Sequence, residues 1–188
     1  NTASAKALRT IQQIDLPKID PRKRVLGIIR PTVEFLGDIT QSRHVGILAT
    51  SGTIKSQSYP LEIKKLFPDI TVSGEACPIW VPLVECGEAK SDGADYFVRR
   101  HIDNLLAKDD KIDTLILGCT HYPFAAASLR RVLGENVALL DGGDGTARET
   151  KRRLAEAGLL HDGPGDVIIE NSANSPYLLK LSRQLLEE

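Results

Sequence analysis

The run Asp113-Thr114-Leu115-Ile116-Leu117-Gly118-Cys119-Thr120-His121-Tyr122-Pro123 constrains the fold more than any other stretch of the chain. Leu115, Ile116 and Leu117 form too short a run for a core helix and are bounded by Asp and Gly, so they read as a buried strand. Gly118 allows a sharp turn at the strand's end. Pro123 then stands in the first-turn position of a helical pattern running from Phe124 to Leu133. Cys119 therefore falls between a strand's carboxyl end and a helix's amino end, the edge where open parallel sheets bind ligands. A helix amino end favours negative charge, so it can lower a thiol's pKa or hold a carboxylate. A cysteine beside a strand is ordinarily a small buried hydrophobe. Thr120 and His121 count against that here, because polar residues at a strand's exit fill no core and imidazole exchanges protons near neutral pH.

The rest of the chain repeats the strand–helix alternation. Thr2 to Ile14 has apolar residues at helical spacing. Val25 to Ile29 reads as a short strand, and Arg30-Pro31 as a crossover into a short helix over 32–39. His44 to Ala49, Ile70 to Ser73, Val137 to Leu140 and Val167 to Ile169 read as further strands. Helices are expected from Ile54 to Leu66 with an interruption at Pro60, over 93–107, up to Ala157 with Gly158 closing it, and from Pro176 to Leu186 with Ser175 as its cap. Such alternation is the signature of an α/β fold with a mostly parallel sheet.

With 188 residues the chain can bury a sizeable core. Its net charge of −1 excludes binding nucleic acid through bulk electrostatics. Lys18, Arg22, Lys23 and Arg24 make a basic patch that a solvated loop explains. No apolar run approaches membrane-spanning length, so no membrane partner is expected. Three cysteines, Cys77, Cys86 and Cys119, lack any paired spacing, which fits a reducing compartment and argues against a metal site. The chain opens on Asn in the middle of a helical pattern and reads as part of something longer.

Other stretches carry weaker signals. Thr50 and Thr53 flank Gly52 at a strand-to-helix turn and can hold a carboxylate or phosphate, with helix capping by Thr53 as the plain alternative. Glu85 follows the apolar stretch Trp80 to Val84 and is either an acid–base group with a raised pKa or a surface glutamate. Asp141-Gly142-Gly143-Asp144-Gly145 is a turn before it is a phosphate or metal loop. Cys77 and Cys86 have no adjacent base and read as structural.

Several blocks, taken in order, resemble the glutamate racemases of the aspartate/glutamate racemase superfamily. Gly118-Cys119-Thr120-His121-Tyr122-Pro123 is similar to that family's second signature. Asn1-Thr2-Ala3-Ser4 resembles the end of its first signature, Cys-Asn-Thr-Ala-Ser. Ala49-Thr50-Ser51-Gly52-Thr53, Ala76-Cys77-Pro78 and Val81-Pro82-Leu83-Val84-Glu85 resemble three segments between. The chain departs from the pattern in lacking the first signature's cysteine, which would stand immediately before Asn1, and the Asp-Ser-Gly-x-Gly-Gly segment. Arg30-Pro31-Thr32 and Asp141-Gly142-Gly143 also differ locally.

The resemblance implies two similar doubly wound parallel-sheet domains facing across a cleft, the first incomplete here. Residues 1–31 would be its remnant, 32–144 the second domain, and 145–188 a segment returning to the first. It implies cofactor-independent interconversion of L- and D-glutamate by two cysteines on opposite faces of the α-carbon. Without pyridoxal, such a site must stabilise a carbanion by preorganised hydrogen bonds and exclusion of water. Cys119 would be one base, and His121 would support either its thiol or the bound substrate. Asn1 and Thr2, across the cleft from Thr53 and Thr120, would bind the substrate's carboxylates and amine, with Thr50 as a further candidate, and Glu85 would support the catalytic pair from behind. A cytoplasmic homodimer supplying D-glutamate for peptidoglycan is the expected setting. An aspartate or hydantoin racemase is the neighbouring reading. Aspartate racemases tend to carry Glu at the position of His121, and hydantoin racemases lack the Thr-His pair. A binding fragment without chemistry is the third.

Overall fold

The computed structural model describes residues 1–187 as a mixed α/β structure around one parallel sheet. Helix α1 (Thr2–Thr10) runs through a π turn (Ile11–Asp15) into α2 (Leu16–Ile19). Two short helices follow, α3 (Ile29–Val33) and α4 (Leu36–Ile39). Strand β1 (His44–Ala49) leads into α5 (Ser51–Ser56) and α6 (Ser58–Leu66), then β2 (Thr71–Ala76), α7 (Trp80–Glu85) and α8 (Asp92–Leu106). Strand β3 (Thr114–Gly118) leads through a 3-10 turn (Tyr122–Ala125) into α9 (Ala126–Leu133), β4 (Ala138–Leu140), α10 (Gly143–Glu156) and α11 (Pro176–Glu187).

All strand pairs are parallel and the order is β2-β1-β3-β4. The period of two along each strand divides the core between the sheet's faces. Val45, Ile47 and Ile116 pack with Val33, Leu36, Tyr59 and Ile63 on one side. Leu48, Leu115 and Leu117 pack with Trp80, Val98, Ile102, Leu105 and Leu129 on the other. With both faces covered, β1 and β3 are apolar almost throughout, as central parallel strands are.

Four expectations are corrected. Val25 to Ile28 is not a strand, and Ile29 already belongs to α3. Val25 has no neighbouring strand; its carbonyl instead accepts from Gln12 Nε2 at 2.7 Å. Val167 to Ile169 is also irregular, with Val167 and Ile168 exposed on the surface. The helix expected over 32–39 is two pieces. The break between α5 and α6 lies at Gln57, which is left-handed with φ 56°, while Pro60 sits harmlessly in the first turn of α6. Ser175 does cap the last helix, its Oγ accepting from the Leu178 amide at 3.3 Å. No described helix is long and apolar enough to cross a membrane.

Candidate active site

The chain leaves β1 towards β2 on one side and leaves β3 towards β4 on the other. The carboxyl ends of β1 and β3 therefore border the topological switch point, where open α/β sheets form a crevice. Thr50 to Thr53 follow β1, and Cys119 to His121 follow β3.

Cys119 is 7% exposed. Its burial pushes the thiol up, while hydrogen bonds from the His121 and Tyr122 amides pull the other way. Gly118 brings this turn close to its neighbours. A Cβ there would lie 3.0 Å from Ala49 Cβ and 3.1 Å from Tyr59 Cε2. The turn is braced from the other side by Tyr122, whose hydroxyl donates to the Cys77 carbonyl at 2.7 Å. The Tyr122 ring leans on Trp80 at 4.9 Å between centroids. Cys77 is buried in this brace and Cys86 is exposed, so neither joins the site.

His121 Nδ1 lies 4.0 Å from Cys119 Sγ, and its Nε2 lies 3.2 Å from Glu85 Oε1. With the ring proton on Nε2 donated to Glu85, Nδ1 is an acceptor facing the thiol. The three side chains thus form a row from carboxylate to imidazole to sulfur, able to take the thiol's proton and carry the resulting positive charge. Glu85 ends α7, and its backbone carbonyl accepts from the Tyr177 hydroxyl of α11 at 3.0 Å.

The threonines form a second group. Thr2 Oγ1 lies 2.9 Å from Thr50 Oγ1 and 3.2 Å from Thr53 Oγ1, which are 3.1 Å from each other. Thr2 is therefore in direct contact with Thr53 and not separated from it by a gap. The start of α1 rests on the start of α5. Thr50, not Thr53, is the helix cap, its Oγ1 accepting from the Thr53 amide at 3.4 Å. A hydroxyl proton shared with another hydroxyl can turn towards an anionic oxygen instead. Asn1, at the same helix end, accepts at Oδ1 from the Tyr59 hydroxyl at 2.5 Å. Thr120 is exposed at the rim beside Cys119.

Tyr59 and the Trp80–Tyr122 brace were not legible in the sequence, where each is one aromatic residue in an apolar pattern. Asp141 is a turn residue, its Oδ1 accepting from the Gly143 amide at 2.6 Å. A Cβ at Gly142 or Gly145 would press into Ile28, Thr32 or the Pro31 carbonyl, so close packing explains those glycines. Among the described residues no three His, Cys, Asp or Glu side chains gather to hold a metal ion.

Comparison with known proteins fits this geometry. The chain is 39% identical over 164 residues to a glutamate racemase of Bacillus cereus, a match covering 87% of this chain and 58% of that one. It is 38% identical over 161 residues to a glutamate racemase of Geobacter metallireducens, covering 85% and 56% respectively. The chain thus spans a little over half the length of these curated relatives. Among solved structures, a glutamate racemase of Bacillus anthracis superposes with a TM-score of 0.82 at 27% identity, covering 100% of this chain and 68% of that one. A Francisella tularensis glutamate racemase in complex with D-glutamate gives 0.81 at 25% identity, covering 100% and 67%. A sequence profile described as Asp/Glu/Hydantoin racemase matches residues 6–150. With three quarters of its length matched by that profile and its crevice lined as described, the chain belongs to the Asp/Glu/Hydantoin racemase family.

Proposed function

We propose that this chain forms the Cys119 half of a glutamate racemase, interconverting L- and D-glutamate without a cofactor. The observation that carries the reading is the row Glu85–His121–Cys119 at the sheet's switch point, where the pairing of Ala49 with Gly118 sets the start of the hydroxyl cluster beside the start of the thiol turn. His121 Nδ1 removes the Cys119 proton, and Glu85 balances the imidazolium. The Cys119 thiolate then takes the α-proton from L-glutamate, and the pair of electrons left behind spreads into the substrate carboxylate. A thiol on the opposite face returns a proton to the planar carbon and becomes the thiolate for the reverse reaction. That second thiol is the cysteine that opens the family's first signature, immediately ahead of Asn1. Thr2, Thr50, Thr53 and Thr120, with Asn1, bind the carboxylates and amine. Donors already in place need no reorganisation as charge develops on the carboxylate.

On this reading residues 32–144 are the second domain and residues 1–31 and 145–188 belong with the first. The enzyme works as a cytoplasmic homodimer supplying D-glutamate for peptidoglycan. The test compares two chains, this one and one extended at its amino end with the corresponding segment of the Bacillus cereus relative. Racemisation of glutamate and of aspartate is followed by circular dichroism. The extended chain should racemise glutamate and the shorter one should not. Equal turnover by both would sink the two-thiol mechanism, and turnover of aspartate alone would reassign the substrate.

A further inference from the structure

Tyr59 is a buried titratable group beside the crevice that takes no part in the proton transfer. It is 2% exposed, and its ring lies directly against the position of Gly118, the residue before Cys119. Its hydroxyl meets Asn1 Oδ1 at 2.5 Å. An amide oxygen only accepts, so the phenol donates. Burial pushes that phenol up, so it keeps its proton throughout the neutral range. With its oxygen held in this way, the Asn1 amide must turn Nδ2 away from Tyr59. No acceptor among the described residues meets Nδ2.

The two ends of an asparagine amide have nearly the same shape and opposite hydrogen-bonding character. One orientation offers a carboxylate two N–H donors. The other offers it lone pairs and repels it. Nothing in the residue itself chooses between them; a neighbour must.

We propose that Tyr59 is a positioning residue, its hydroxyl locking the Asn1 amide so that the Nδ2 donors face a carboxylate of the amino-acid substrate. This rests on the reading of the crevice as a glutamate racemase site. It adds a residue that touches no substrate and yet sets the polarity of one that does. The cost of losing the lock falls on binding, because the substrate carboxylate is charged in ground state and transition state alike.

The experiment uses the extended, racemising chain. Tyr59→Phe should raise KM for glutamate about tenfold and change kcat by less than about threefold. Asn1→Asp keeps the acceptor for Tyr59 and replaces the donor end by a second carboxylate oxygen. It should raise KM at least as much, with an unchanged melting temperature. In an Asn1→Ala background, Tyr59→Phe should add no further change in KM. A Tyr59→Phe enzyme that melts earlier with KM unaltered overturns the proposal, as does an Asn1→Asp enzyme with the parent's KM. If Tyr59→Phe does not fold, the Asn1→Asp result decides alone. An inactive extended parent overturns the racemase reading and this proposal with it, whereas an active parent with indifferent variants overturns this proposal only.

Discussion

Asp113 stands at the opposite end of β3 from Cys119, and its replacement gives a direct test of what anchors the central strands. One carboxylate oxygen accepts from the Thr40 and Thr114 hydroxyls at 2.6 and 2.9 Å. The other accepts from the Gln41 and Ser42 amides at 2.8 and 2.6 Å. Burial pushes the carboxyl up, but these four donors outweigh it and bring it down to about 2. A folded pKa below the unfolded value contributes stability at pH values above the unfolded pKa, lost as pH falls through the folded one. The window therefore runs from about pH 4 down to about pH 2. A shift of roughly two units corresponds to about 2.5 kcal/mol. Partial access to water reduces this to about 1–2 kcal/mol. In Asp113→Asn the amide can turn its oxygen towards the two backbone amides and its NH2 towards the two hydroxyl oxygens, so the charge is lost and the two hydroxyl protons must turn away. The expected destabilisation is about 1–2 kcal/mol at neutral pH, shrinking towards zero near pH 2. Asp113→Ala also strands the Gln41 and Ser42 amides and should cost about 2–4 kcal/mol. Urea unfolding of the three proteins, repeated from neutral to about pH 3, measures both quantities. An Asp113→Asn protein as stable as the parent at neutral pH would refute the reasoning. So would a deficit that stays constant as the carboxylate is titrated.

Two substitutions probe the crevice in the extended chain. Thr53→Val should raise KM for glutamate more than it lowers kcat, by about tenfold from the loss of one hydrogen bond to a carboxylate; steady-state kinetics with an unchanged KM would leave Thr53 a packing residue. Cys119→Ser should abolish racemisation in both directions, since a serine hydroxyl is far harder to deprotonate than a thiol. It should nevertheless retain elimination from a D-glutamate analogue bearing a leaving group and lose it from the L-analogue. Equal loss from both enantiomers contradicts the assignment of Cys119 to one face.

The parts of this molecule that could be read from its sequence are those decided locally. Leu115-Ile116-Leu117 is a strand because a short apolar run bounded by Asp and Gly has few alternatives, and the turn at Gly118 and Cys119 follows from the glycine and the proline. Val25 to Ile29 has equally suitable residues and forms no strand, because a strand also needs a partner and the four-stranded sheet offers none there. Val167 to Ile169 fails for the same reason. In the site, His121 beside Cys119 is a neighbour in sequence and was visible. Glu85 is 36 positions from His121, and its pairing depends on where α7 ends. The contact of Thr2 with Thr50 and Thr53, and the bond of Tyr59 to Asn1, depend on how α1 lies across α5 and α6. No periodicity encodes that.

The sheet order also sets a sequence of events in time. Pairing β1 with β2 joins Val45 to Val72, whereas pairing β1 with β3 joins Val45 to Thr114, a separation more than twice as long. Closing the longer loop costs roughly 0.8 kcal/mol more chain entropy. A growing or refolding chain therefore meets β2 from β1 several times for each time it meets β3. The hydroxyl side of the crevice has its scaffold early, and the thiol side waits for the long closure. Until then Cys119 lacks both the burial and the amide hydrogen bonds of its native turn. It passes through the unfolded ensemble as an ordinary exposed thiol, open to the oxidants and electrophiles that the native turn largely screens off.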